Sequence, residues 1–126
     1  MSAPSWIESA VGEFGRAAGI SGLAFNDRSC AAVRFENGIG LRFEYVGGEL
    51  AMAATVRVAP DARTVRRLLS FAHPDAGGVR VRAGLLARSG EAVLAVRIPE
   101  GDVTLPVLNQ TFAALWRLAT EIGGAA

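Results

Sequence analysis

The stretch that decides the fold is residues 29–58, SCAAVRFENGIGLRFEYVGGELAMAATVRV, where an Asn-Gly pair and a Gly-Gly pair separate three runs of alternating apolar residues. Alternation with a period of two is typical of a half-buried strand. Asn37-Gly38 is a strong hairpin signal, and Gly47-Gly48 predicts a second tight turn. The segment therefore predicts an antiparallel meander, with strands over residues 29–36, 39–46 and 49–58.

A helix is predicted before the meander. Apolar residues recur at helical spacing over residues 5–18, and Gly19 ends the pattern as a C-terminal cap glycine would. Ser5 and Glu8 have the S-x-x-E order of a capping box. We therefore expect an amphipathic first helix that begins with the Ser5 hydroxyl as its cap.

After the meander the chain predicts a short helix, a hairpin and a long final helix. Asp61 is the expected N-cap of a helix of about twelve residues. Residues 79–88 and 91–98 alternate as two strands, and Gly84 suggests a bulge. Either Asp102 or Thr104 is expected to cap the final helix, which ends at Gly123-Gly124.

The order α-β-β-β-α-β-β-α predicts an α+β fold: a twisted five-stranded antiparallel sheet with three helices. A length of 126 residues suggests one domain, residues 1–126, and that size buries enough surface for a real core. Apolar residues form 51% and charged residues 20% of the chain, as in ordinary globular proteins. No apolar run reaches the length of a membrane span, and the amino-terminal residues lack the basic start of a secretory signal.

The reactive residues argue against an enzyme. One cysteine, Cys30, falls in a predicted strand and is expected in the core, and the only histidine, His73, falls at a helix end. A disulfide within the chain is excluded, and a zinc site is not expected. No phosphate-binding glycine motif is present. We expect no catalytic residue, no metal and no cofactor.

Charge is distributed unevenly along the chain. Residues 57–97 contain eight arginines and three acids, a net charge of +5, whereas the whole chain is at +1. A nucleic acid could bind such a segment, but no recognition helix or exposed aromatic interleaving accompanies it. A solvated arginine face is the alternative, and we expect no nucleic-acid partner and no membrane partner.

The short helix predicts self-association. Val65, Leu68 and Leu69 lie largely on one side of it, and a helix this short needs a surface to pack on. A two-fold contact with a second copy would supply that surface.

Three local patterns resemble a known family. One is residues 15–45, GRAAGISGLAFNDRSCAAVRFENGIGLRFEY, where a Gly-terminated helix leads into a Cys-containing strand. Another is Pro60 followed by the Leu68-Leu69 pair. The last is the closing helix, which carries Phe112, Leu115, Trp116 and Arg117. With the order of elements, these residues make the chain resemble the class I type III secretion chaperones, the Tir chaperone-like group.

The resemblance implies a bacterial cytoplasmic homodimer that binds the extended N-terminal segment of a secreted effector and delivers it, without ATP hydrolysis, to the secretion ATPase. It places the dimer interface on the short helix and the next strand, with candidates Val65, Leu68, Leu69, Ala72, Val79 and Val81. Effector strands can add to a sheet edge. The candidates for effector binding are apolar residues, most of which could equally belong to the core: Trp6, Val11, Leu23, Phe25, Val33, Leu41 and Phe43.

Two features depart from the family pattern. Family members are usually acidic, whereas this chain is near neutral with a basic middle. The spacing from Cys30 to the following Phe is one residue longer than expected, which suggests a bulge or a shifted register in the first strand. The same architecture also occurs in YbjN-like domains, so a protein-binding role outside secretion remains the alternative.

Overall fold

A computed structural model describes residues 3–59, 61–70, 80–86 and 88–123. The chain order is the predicted one, with a short 3₁₀ turn at Glu100–Asp102 before the last helix. The helices are α1 (Ser5–Ala17), α2 (Ala62–Ser70) and α3 (Leu105–Gly123). The strands are β1 (Cys30–Arg34), β2 (Gly40–Val46), β3 (Glu49–Arg57), β4 (Arg82–Leu86) and β5 (Glu91–Pro99).

The five strands form one open antiparallel sheet in the order β1-β2-β3-β5-β4. The sheet therefore ends in two edge strands, β1 and β4. The α+β prediction is confirmed, because alternation and turn glycines together specify both the strands and their antiparallel pairing.

No bulge interrupts the described strands, so the bulges predicted at Gly84 and in the first strand are wrong, whereas the alternative of a shifted register in the first strand stays a prediction. The β1–β2 register runs unbroken from Cys30 opposite Glu44 to Arg34 opposite Gly40. The chain instead turns at Ser29, whose φ is 57°, before the strand begins. Gly84 keeps regular pairing with Val93, and a Cβ at this position would meet no atom within 4 Å.

The core lies between one face of the sheet and the helices α1 and α3. Leu50, Met52 and Leu94 from the two central strands are fully buried there. The Phe14 ring of α1 makes T-shaped contacts with the rings of Phe43 on β2 and Phe112 on α3, at centroid distances of 5.8 Å and 5.4 Å. Each fully buried side chain of this size contributes about 1.5–3 kcal/mol, so this layer holds both helices on the sheet.

The start of α1 differs from the predicted capping box. Ser5 is already helical, so its hydroxyl cannot act as the cap, and Pro4 occupies the cap position without a side-chain bond. The Pro4 carbonyl instead accepts the N–H groups of Ile7 at 3.0 Å and Glu8 at 3.2 Å. The helix end follows the prediction: Gly19 has φ 73°, and the Ile20 N–H donates back to the Gly15 carbonyl at 2.7 Å.

Side-chain hydrogen bonds identify the residues that cap α2 and α3. The Thr64 N–H donates to Asp61 Oδ1 at 2.8 Å, which confirms the predicted cap of α2. Of the two candidates for α3, Thr104 caps, and its Oγ1 accepts the Val107 N–H at 3.4 Å. The predicted end of α2, including Ala72 and His73, lies outside the described residues.

Gly40 is required by a close approach between two strands. It lies opposite Thr55, and a Cβ at position 40 would come within 2.5 Å of Thr55 Oγ1. We expect Gly40→Ala to lower the free energy of unfolding by about 1–3 kcal/mol, as overpacking does. Urea denaturation measures this loss. The matched control is Gly84→Ala, another strand glycine, which has no atom within 4 Å of its Cβ position. A neutral Gly40→Ala, or one that Thr55→Ala fails to relieve, would contradict the explanation.

Candidate functional site

The edge strand β1 exposes main-chain groups that nothing described pairs with. The N–H of Tyr45 donates to the Ser29 carbonyl at 3.1 Å, and the N–H of Phe35 donates to the Ile39 carbonyl at 2.8 Å. Antiparallel strands alternate, so Ser29, Ala31, Val33 and Phe35 direct their main-chain groups toward β2. Ala32 and Arg34 therefore direct theirs away from the sheet, where a further strand could bond to them.

An aromatic surface lies beside this edge on the helix-covered face. Phe35, Phe112 and Trp116 are only half-buried. The ring centroid of Trp116 lies 5.0 Å from that of Phe35 and 5.6 Å from that of Phe112. We call these three residues the edge aromatic surface. The unbonded main-chain groups of the β1 edge therefore lie next to an apolar surface, and sites that bind extended peptides have this arrangement.

Sequence reasoning assigned none of these three aromatic residues to a binding site. In the sequence, Phe112 and Trp116 belong to the predicted closing helix, and Phe35 lies near the end of the first predicted strand. The available signal was their spacing, because Phe112 and Trp116 are four residues apart and share a helix face. Which strand that face meets is a tertiary fact, and no local pattern contains it.

The seven candidates for effector binding fall into two groups. Val11, Leu41 and Phe43 are at most 2% exposed, and Leu23 is 8% exposed, so these four lie in the core of the single chain. A core position was the alternative to effector binding that the sequence allowed for these residues. The other three side chains are accessible to solvent: Trp6 is 46% exposed, and Phe25 and Val33 are half-buried. Val33 lies on β1 itself.

The candidates for the dimer interface are also divided. On α2, Val65 is 40% and Leu69 is 67% exposed, and their spacing of four residues puts them on one face. Leu68 and Val81 are buried within the chain. The remaining two, Ala72 and Val79, lie outside the described residues. Arg67 contacts Glu121 of α3 at 2.9 Å, which links α2 to the main body.

The face of the sheet opposite the helices carries paired charges. Arg34 lies 3.8 Å from Glu91, Arg42 lies 3.3 Å from Glu44, and Arg97 lies 3.7 Å from Glu49. These arginine side chains are more than half exposed, so each pair contributes little to stability. The charges are therefore available to a partner.

The pKa shifts that are resolved have structural causes. Burial, together with the hydrogen bond that Tyr45 donates to Glu100 at 3.1 Å, raises the pKa of the Tyr45 phenol. The hydrogen bond that Asp61, the cap of α2, accepts from the Thr64 N–H lowers the pKa of the Asp61 carboxyl. Both groups hold local structure together, and neither forms a nucleophile–base pair of the kind that catalysis requires.

The described residues contain neither a cluster of metal-ligating side chains nor a helix that could span a membrane. No three described His, Cys, Asp or Glu residues come together as a metal site. None of the described helices is both long and apolar enough to cross a bilayer. Cys30 is a half-buried free thiol on the edge strand.

Three helices on an open five-stranded antiparallel sheet, in the order α-β-β-β-α-β-β-α, match the architecture that the family resemblance implied. Residues 6–123 match the family model described as type III secretory system chaperone SycN. The chain therefore belongs to that family. The family consists of chaperones and not of enzymes, which confirms the non-enzymatic prediction.

Solved chaperone structures share the fold at low sequence identity. The HopA1–SchA chaperone–effector complex contains a chain with 17% identity and a TM-score of 0.75, covering 97% of this chain and 98% of that one. A chain of the ExsC–ExsE complex is 21% identical with a TM-score of 0.76, covering 94% and 92%. The Yersinia pestis chaperone SycH, solved with a fragment of YscM2, is 16% identical with a TM-score of 0.72, covering 92% and 98%.

The same architecture extends beyond secretion chaperones. YbjN from E. coli matches with 13% identity and a TM-score of 0.63, covering 90% of this chain and 88% of that chain. No curated protein matches the sequence at a significant level. The fold by itself is therefore shared by two groups, and the family match is what assigns this chain to the chaperones.

Proposed function

We propose that this protein is a cytoplasmic homodimeric chaperone. It binds an extended segment near the N-terminus of a secreted effector and hands it to the secretion ATPase. The observation that carries the proposal is the open edge of β1 beside the edge aromatic surface. The complexes of SchA and ExsC with their partners support it, because they have the same fold.

The mechanism combines main-chain pairing with apolar burial. An extended segment would bond to the open N–H and C=O groups of Ala32 and Arg34. Its side chains on the helix-covered face would contact Val33 and the edge aromatic surface. Main-chain bonds do not depend on sequence, so they hold any unfolded segment, and the apolar contacts select among segments. Trp6 and Phe25 offer further apolar surface.

A homodimer would use the exposed face of α2. Val65 and Leu69 form an apolar pair on a short helix, and a two-fold axis through this face would cover both. A dimer also presents two β1 edges, so one effector segment could engage both copies and gain affinity by effective concentration. A non-secretion protein-binding role, as the YbjN architecture suggests, is the second candidate.

Capture from the native host tests the proposal. We expect a tagged chain, purified while secretion is active, to retain an effector segment protected from limited proteolysis and identifiable by mass spectrometry. Because apolar contacts and main-chain bonds dominate, capture should survive about 0.5 M salt, where the Debye length is well below 10 Å. A chain that captures no protein, or that loses its cargo completely at this salt concentration, would contradict the proposal.

A further inference from the structure

Asn26 closes one end of the open β1 edge. Its N–H donates to the Cys30 carbonyl at 2.8 Å, and its Oδ1 accepts the Cys30 N–H at 3.1 Å. The same Oδ1 also accepts the Arg28 N–H at 2.9 Å. Cys30 belongs to the set of residues that face outward, together with Ala32 and Arg34. Because both of its outward groups are already bonded, an added strand can begin to pair only at Ala32.

Arg42 extends toward the same end of the edge on the opposite face of the sheet. It lies directly across from Ala32 in the β1–β2 register. Its Nη2 is 3.7 Å from Cys30 Sγ on β1 and 3.3 Å from Glu44 Oε2 on β2, so the guanidinium lies between these two strands, on the edge side of the sheet. The methyl side chain of Ala32 leaves the path from Arg42 to the edge open.

The Arg34 side chain extends away from the open edge, so it cannot contact a side chain of an added strand there. Its Nη1 donates to the Gly38 carbonyl at 3.0 Å, and its Nη2 lies 3.8 Å from Glu91 on β5. Both contacts draw the side chain toward the turn and the centre of the sheet. Of these two arginines, Arg42 is the one whose guanidinium lies toward the open edge on the outer face.

We infer that Asn26 and Arg42 set the register and the charge pattern of the bound segment, an inference that rests on the proposed function. Two strand spacings separate β2 from an added strand, about 10 Å, which an arginine and an opposing glutamate side chain can bridge. A carboxylate opposite Ala32 would then form charge-assisted bonds with Arg42. The residues on either side of that acid face the edge aromatic surface. The cargo segment is thus extended, with an acid between two apolar residues.

Synthetic peptides test the charge preference. The probes are dye-labelled ten-residue peptides with alternating valine and threonine, one central outward position being Glu, Gln or Lys. We expect the Glu peptide to bind the full-length chain about tenfold more tightly than the Lys peptide. Arg42→Gln should remove this preference without lowering affinity for the Gln peptide. Arg57→Gln, an exposed arginine on β3, is the matched control and should change neither.

Disulfide trapping at position 32 tests the register, in a Cys30→Ser, Ala32→Cys variant whose single thiol lies where pairing begins. A cysteine is placed in turn at each outward position of the peptide as a thionitrobenzoate disulfide, so that exchange with the introduced thiol releases thionitrobenzoate. We expect trapping at one peptide position, since a disulfide forms only between residues whose Cα atoms lie within about 7 Å. Asn26→Ala should spread trapping over several positions, whereas Asn26→Asp, which keeps an acceptor oxygen, should retain the single register.

The outcomes separate this inference from the proposed function. Amide hydrogen exchange at Ala32 reports edge addition itself, whatever the peptide charge. If the peptides protect Ala32 but Glu and Lys bind equally, or if Asn26→Ala keeps one register, the inference is overturned and edge binding stands. If no peptide protects Ala32, edge addition is wrong, and the inference is overturned with it.

Discussion

Replacing Ala32 by proline will abolish cargo capture while the chain stays folded. Proline has no N–H, so it removes one of the main-chain donors that an added strand needs. Its ring would also occupy the space into which that strand must move. Edge strands tolerate proline where the N–H faces outward, and Ala32 is such a position. We expect at least about a tenfold loss of affinity for the effector segment captured from the host.

The measurement is binding of that segment by fluorescence anisotropy, with circular dichroism to establish that the variant is folded. Ala32→Ser is the matched control, because it keeps the N–H and adds a single atom to an exposed side chain. Its affinity should stay within about twofold of the parent chain, the effect of a small surface change. A folded Ala32→Pro chain that binds as tightly as the parent would exclude β1 as the binding edge.

Leu69→Asp will convert the proposed dimer to a monomer. Leu69 is 67% exposed in the single chain, and Val65, one turn earlier, is 40% exposed. In the proposed dimer both would be covered, and an aspartate there would carry a charge into a contact without water. An uncompensated buried charge costs about 3–5 kcal/mol, and the two-fold axis applies this cost twice.

Sedimentation equilibrium measures the change as a fall in mass to that of one chain. Val46→Asp is the matched control, since Val46 is 60% exposed and lies on β2, away from α2. Leu68 is the wrong place for this test, because it is 4% exposed and a charge there would disturb the chain's own core. An unchanged dimer mass for a folded Leu69→Asp chain would remove α2 from the interface.

Local patterns predicted the framework of the fold well. The alternation in residues 29–58 and the glycine turns were sufficient for the meander, because strand period and turn geometry are properties of short segments. The capping box failed for a local reason as well: Pro4 takes the cap position, which leaves Ser5 inside the helix. The two bulges were inferred from glycine and from spacing, and neither is visible in the pairing.

The candidate site was harder to predict, because burial separates residues that look alike in sequence. Leu41 and Val33 alternate in the same way in neighbouring strands, yet Leu41 is 2% exposed and Val33 is half-buried. The difference is that β1 is an edge strand and β2 is not. The closure of that edge by Asn26 and the direction of Arg42 depend on strand order in the same way, and strand order is not encoded in any one segment.

Amide hydrogen exchange of the chain, alone and with its captured cargo segment, tests the central claim most directly. The account predicts that cargo binding slows exchange at Ala32 and Arg34, the outward-facing amides of β1, and leaves the already bonded Cys30 amide little changed. Arg82 and Leu86 on the opposite edge should keep their rates. Protection confined to the β4 edge or to α2, with none at Ala32, would contradict the claim that β1 receives the cargo.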